Sequence, residues 1–180
     1  GFELPQSLAR QWEEESSQLI ERLQTVPLCL IHRDFQSQNI MLGDERPVFI
    51  DFQGMRPGNV FYDLASLICD PYVTFLPEER NELISFYYRI MEPDYSLERF
   101  TDYFWEGAAQ RLMQALGAYG FLGLKKNKQH FLKHAAGGIK NLVTATAQAA
   151  TLPALNELAR ECMRKLAVRR DLSTNPPKIQ

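Results

Sequence analysis

Leu30-Ile31-His32-Arg33-Asp34-Phe35-Gln36-Ser37-Gln38-Asn39-Ile40-Met41, followed by Phe49-Ile50-Asp51-Phe52-Gln53-Gly54, is the stretch on which the fold of this chain turns. It sets a dense group of polar and ionisable residues between short apolar runs. Leu28 to Ile31 is an uninterrupted apolar run and reads as a buried strand. Ile40 to Leu42 and Val48 to Ile50 are two more, separated by the turn-rich Gly43-Asp44-Glu45-Arg46-Pro47, and read as a hairpin. His32 to Asn39 is then a loop leaving the first strand. The hairpin delivers Asp51 at the end of its second strand, so Asp34, Asn39 and Asp51 can meet at one point.

Two acids and an amide so placed suit phosphoryl transfer. One carboxylate orients and accepts the proton of an attacking hydroxyl. The other carboxylate and the amide oxygen suit magnesium, a hard cation that bridges phosphates. A plain hairpin whose Asp and Asn residues only make turns leaves unexplained why acids stand at both strand ends beside His32 and Arg33.

His32-Arg33-Asp34, four residues and then Asn39 follows the spacing of the kinase catalytic loop, and Asp51-Phe52-Gln53-Gly54 stands where kinases carry Asp-Phe-Gly. The pair resembles the catalytic half of the protein-kinase-like superfamily, in particular its aminoglycoside phosphotransferase branch, which phosphorylates small molecules. Gly58 with Asp63-Leu64-Ala65 is similar to the family motif whose acid braces the catalytic loop. Tyr62 to Leu67, together with Gln110-Arg111 and Ala115-Leu116-Gly117, looks like the subgroup of bacterial cell-wall amino-sugar kinases, which phosphorylate N-acetylmuramate or N-acetylglucosamine at the anomeric hydroxyl.

The resemblance implies ATP as phosphoryl donor and Mg2+ as its partner. It implies Asp34 as the catalytic acid–base, Asn39 and Asp51 as metal ligands, and His32 and Asp63 as supports of the loop. Arg33, Gln36 and Arg111 are candidate contacts for a small-molecule hydroxyl acceptor. Arg111, on a mostly apolar helix, needs a partner; an ion pair with Asp70 or Asp102 is the simpler reading and a substrate contact the other. The family's N-terminal lobe, with its glycine-rich loop and strand lysine, is not visible. The expectation is therefore a C-terminal lobe, either a fragment of a longer kinase or a naturally truncated relative, that binds ATP poorly without the missing lobe. A non-catalytic, pseudokinase-like binding module is the alternative. A protein kinase is disfavoured because only twelve positions separate Asp51 from Asp63, too few for an activation segment.

Outward from this stretch, helices are expected. Pro5 to Leu23 puts Leu8, Trp12, Leu19 and Leu23 on one face with Glu13 to Glu15 opposite. Gln53 to Asn59 is rich in breakers and reads as a loop. Phe61 to Asp70 is apolar around most of its girth and should be buried. Pro77 to Met91, Leu97 to about Ala118 with Ser96 as cap, Gln129 to Ala150 and Leu155 to Val168 follow. Gly117, Gly120 and Gly123 mark a helix end and loop, not a phosphate fingerprint. His130 and His134 lack the glutamate at position 131 that a zinc protease would need, and Trp12 and Trp105 read as core anchors. The fold class is mainly α with a small β-hairpin catalytic region (α+β), the C-terminal lobe of a protein-kinase-like fold, in one domain over 1–180 with a flexible tail at 171–180.

Composition narrows the partners. A net charge of -2 and an isolated basic cluster at Arg164, Lys165, Arg169 and Arg170 make no case for nucleic acid or an anionic membrane. No apolar run reaches membrane-spanning length. Cys29, Cys69 and Cys162 are odd in number and lack metal-type spacing, which suits a reducing cytoplasm.

Overall fold

The computed structural model describes residues 4–44, 46–70 and 73–174. Within them the chain runs α1 (Gln6–Gln24), β1 (Leu28–Ile31), β2 (Ile40–Leu42), β3 (Pro47–Phe49), β4 (Arg56–Asn59), α2 (Phe61–Ile68), α3 (Pro77–Met91), α4 (Leu97–Gly120), α5 (Ala135–Gln148) and α6 (Pro153–Thr174). The mainly helical class with a small β region is what the sequence led us to expect. Of the expected tail, 171–174 continue α6 and 175–180 lie outside the described residues.

The core forms around α2 and α4, which are apolar enough to be covered on most sides. Phe61 is fully buried, with the Phe100 and Phe104 rings edge-on at 4.8 and 6.4 Å. Trp105 is buried and Trp12 packs against the same core, as their helical spacing implied. α5 and α6 pack successively beside α4, and α1 lies against α4 and α6. Ser96 accepts from the Arg99 N–H and caps α4.

Two antiparallel strand pairs sit at the end of this bundle. β2 and β3 form the expected hairpin, with Ile40 opposite Phe49. The other pair corrects the sequence reading twice. Arg56–Asn59, expected as loop, is strand β4 and pairs with β1, Leu28 opposite Asn59 and Ile31 opposite Arg56. Breakers are tolerated there because a two-stranded ribbon is all edge, and Gly58 is required where it stands: a Cβ would lie 2.3 Å from Ile31 Cδ1. β1 is also not a buried strand. Ile31 is buried, but Leu28 and Leu30 are 71% and 64% exposed.

Three helical expectations also shift. Glu15 is buried, not on the solvent face: its carboxylate accepts from the Ala154 and Leu155 N–H groups at 2.7 and 2.9 Å, closing the N-terminus of α6. α4 runs on through Gly117 to Gly120 and ends in a π-helical turn, Phe121–Lys125. The following segment is not one helix. A 3-10 turn, Gln129–His134, precedes α5; Leu132 there packs so closely on Gly123 that a Cβ would lie 2.5 Å away.

Candidate active site

The His32–Asn39 loop starts at the only buried residue of β1, Ile31, and is tied to every element around it. Arg33 has φ 79, a left-handed backbone unusual for a long side chain. Asp63, in the first turn of α2, spans that residue: Oδ2 accepts from the His32 N–H at 2.6 Å and Oδ1 from the Arg33 N–H at 3.0 Å. Two backbone donors on one carboxylate are charge-assisted bonds, roughly twice the strength of neutral ones. They hold the turn that aims Asp34 outward.

His32 is buried, and its Nε2 donates to the Ile50 carbonyl at 2.9 Å, immediately before Asp51. Its ring meets Phe35 edge-on at 5.8 Å, and Phe35 meets Phe49 at 5.3 Å. This aromatic chain clamps the loop against β3. The backbone adds a second tie, Ile50 N–H to the Asn39 carbonyl. Asn39 and Asp51 thus leave the two ends of one hairpin side by side. Asn39 Nδ2 donates to the Asp34 carbonyl at 2.8 Å, joining the third member. Asp34 and Asp51 are both exposed.

Asp51 also adopts the left-handed region, φ 65 and ψ 34, at the start of the Phe52–Gly54 3-10 turn. Asp is among the few residues that tolerate it. Gln53 Nε2 donates to Asp51 Oδ1 at 2.6 Å, so Asp51 keeps a second oxygen for a ligand. Asn39 keeps its amide oxygen, since its nitrogen is engaged. One carboxylate and one amide oxygen fit magnesium, which takes one or two protein oxygens and completes its shell with water and phosphate. They do not fit zinc, and among the described residues no group of three or more His, Cys, Asp or Glu gathers as a metal cage.

The expected acceptor contacts separate. Arg33 reaches back to the Gly54 carbonyl at 3.5 Å, against the Asp51 turn. Gln36 and Arg111 come together at a small pocket of about 30 Å³ beside the loop. Arg111 Nε donates to Ser66 Oγ at 2.8 Å, and its guanidinium lies over the Tyr62 ring at 5.1 Å. A larger open groove of about 420 Å³ lies between α1 and α4, lined in part by Arg22, Arg99 and Tyr103; none of the loop residues borders it.

Sequence reasoning missed several supports. Asp70 is buried and its Oδ2 accepts from the Ser37 N–H at 2.6 Å, anchoring the far end of the loop. Asn59 Oδ1 accepts from the Phe61 N–H at the start of α2. Phe35 and Phe49 were legible only as apolar residues. The one available signal was Asp70 itself, an acid closing an apolar helix.

A model of the Phosphotransferase enzyme family matches residues 1–100. The chain is similar to the N-acetylmuramate/N-acetylglucosamine kinase of Neisseria meningitidis serogroup B, 28% identical over 137 residues, covering 73% of this chain and 41% of that protein. It is likewise similar to the kinase of the same name from Pseudomonas aeruginosa, 27% identical over 165 residues, covering 88% and 48%. A third, from Pseudomonas putida, is 35% identical over 71 residues, covering 39% and 21%. The chain spans less than half the length of these relatives.

Proposed function

The chain belongs to the phosphotransferase enzyme family, and on that premise we propose that it forms the acceptor and metal half of an ATP-dependent kinase acting on a hydroxyl of a sugar or amino sugar. The observation that carries this reading is the hydrogen-bonded frame that sets Asp34, Asn39 and Asp51 on one side of the hairpin. The relatives' names support a sugar acceptor.

Asp34 accepts the proton of the attacking hydroxyl and orients its oxygen toward the γ-phosphoryl group. Its own backbone carbonyl is fixed by Asn39 Nδ2 and the Gln36 N–H, so the carboxylate needs little reorganisation. Asn39 and Asp51 hold Mg2+, which when bound neutralises charge on the phosphates. His32 and Asp63 act through the backbone, fixing where Asp34 and Asp51 stand.

The nucleotide is clamped by a lobe outside this chain, a single domain in itself. The face that lobe covers is the exposed apolar side of the strands, where Leu28, Leu30, Met41, Leu42 and Val48 lie bare. Among the described residues no helix is long and apolar enough to cross a membrane, and the three cysteines are unpaired; we place the enzyme in the cytoplasm, where ATP is supplied.

The test is ATP turnover by the full-length protein with a panel of sugars. Asp34→Asn should lower kcat by roughly 10²–10⁴-fold, the usual contribution of a positioned proton acceptor. Undiminished turnover in Asp34→Asn would sink the assignment.

A further inference from the structure

The pocket beside the Asp34 loop bears on which sugars the site accepts. It is closed by Gln36 from the loop, Ala65 and Ser66 from α2, and Arg111, Leu112 and Ala115 from α4. At about 30 Å³ it takes one small group and no sugar ring. Its inner surface is apolar, from Ala65, Leu112 and Ala115. Cys69 also lines it, and burial pushes that thiol up to about 12, so it is neutral at physiological pH.

The rim is polar and oriented. Arg111 uses Nε on Ser66 and rests on Tyr62, so its planar fork is held in one attitude. Gln36 supplies an amide, with both a donor and an acceptor. Gln36 is two residues from Asp34, and its N–H donates to the Asp34 carbonyl at 2.9 Å. Two residues of chain span at most about 7 Å, a reach that suits neighbouring substituents on one sugar ring.

We propose that this pocket binds the acetamido group of a 2-acetamido sugar: the methyl against Ala65, Leu112 and Ala115, the carbonyl oxygen accepting from Arg111, and the N–H donating to the Gln36 side chain. The hydroxyl on the adjacent carbon then faces Asp34. This assignment rests on the phosphotransferase reading. A bare hydroxyl at that ring position leaves the polar rim unpaired and the floor empty, and a longer acyl group does not fit.

The experiment uses the full-length protein with glucose, N-acetylglucosamine and N-propionylglucosamine, read by ATP turnover and by saturation-transfer NMR on the sugar protons. The acetylated sugar should exceed the other two by about tenfold or more in kcat/KM, the scale on which sites built to hydrogen-bond discriminate. Its methyl should receive the strongest saturation. Ala115→Leu fills the pocket and should collapse both the selectivity and the methyl saturation. Arg111→Lys, which keeps the charge but loses the fork, should lower the selectivity if Ala115→Leu does not fold. Turnover with unchanged selectivity in both variants overturns the pocket assignment and leaves the kinase reading standing. Methyl saturation that is lost in Ala115→Leu, with no turnover on any sugar, upholds the pocket and overturns the kinase reading.

Discussion

Two residues of the site, Arg33 and Asp51, occupy the left-handed region that side chains seldom adopt. Backbone held this way costs on the order of 1–3 kcal/mol and persists only when its surroundings over-determine it. For Arg33 the surroundings are Asp63, which binds the N–H groups on either side of the strained peptide. Asp63→Ala should therefore lower kcat about 10- to 100-fold with a smaller change in KM, and cost about 1.5–3 kcal/mol in urea unfolding, the range for hydrogen bonds to a charged group. Equal loss in a variant of an exposed acid such as Asp102 would show that the brace is not the cause. Asp63 was legible because it lies in a motif at fixed spacing. Asp70 was not, because its partner, the Ser37 N–H, lies 33 positions away and no local pattern marks it. Cys69 makes a second prediction at this scale. Burial raises its thiol from 9.0 to about 12, and Tyr87 is raised from 10.0 to about 12 by burial and then by Cys29 and Asp63. Both groups bind protons more tightly folded than unfolded. Their stability is fully present below about pH 9 and is lost as pH rises toward 12. Cys69→Ala should flatten the alkaline slope of a urea-unfolding series between pH 9 and 11.

At the scale of elements, the helices were read best. A 3.6-residue period is carried by many positions, so α1, α3 and α4 could be placed within a few residues. The strands were harder. β4 contains Arg56, Pro57, Gly58 and Asn59, and nothing local announces a strand; β1 alone creates it by offering a partner. The face of Glu15 was misjudged for a similar reason. Its partners are the N–H groups of Ala154 and Leu155, supplied by a helix about 140 positions on. Glu15→Ala should destabilise the fold by about 1–2 kcal/mol, the scale of losing a cap, and speed amide exchange at Ala154 and Leu155 before the rest of α6. A uniform change in exchange along α6 would argue for a general loss of packing instead.

For the whole molecule, the core and the apolar strand face point in opposite directions. The helices bury their large side chains, Phe61 and Phe104 above all, while Leu42 at the hairpin is 90% exposed. The proposed nucleotide-clamping lobe covers that face. Leu30→Ser in the full-length protein should then cost about 1.5–3 kcal/mol, as for a buried leucine, although Leu30 is 64% exposed within this chain. A cost near zero would mean that the face stays bare. The central claim is the division of labour between Asp34 and Asp51. It is tested most directly by titrating Mn2+ with bound nucleotide into full-length Asp34→Asn and Asp51→Asn by electron paramagnetic resonance, beside their ATP turnover with N-acetylglucosamine. Both variants should lose turnover at least a hundredfold, while only Asp51→Asn should lose divalent-ion affinity, by tenfold or more. Wild-type Mn2+ affinity in Asp51→Asn, or turnover preserved in either variant, would contradict the site as drawn.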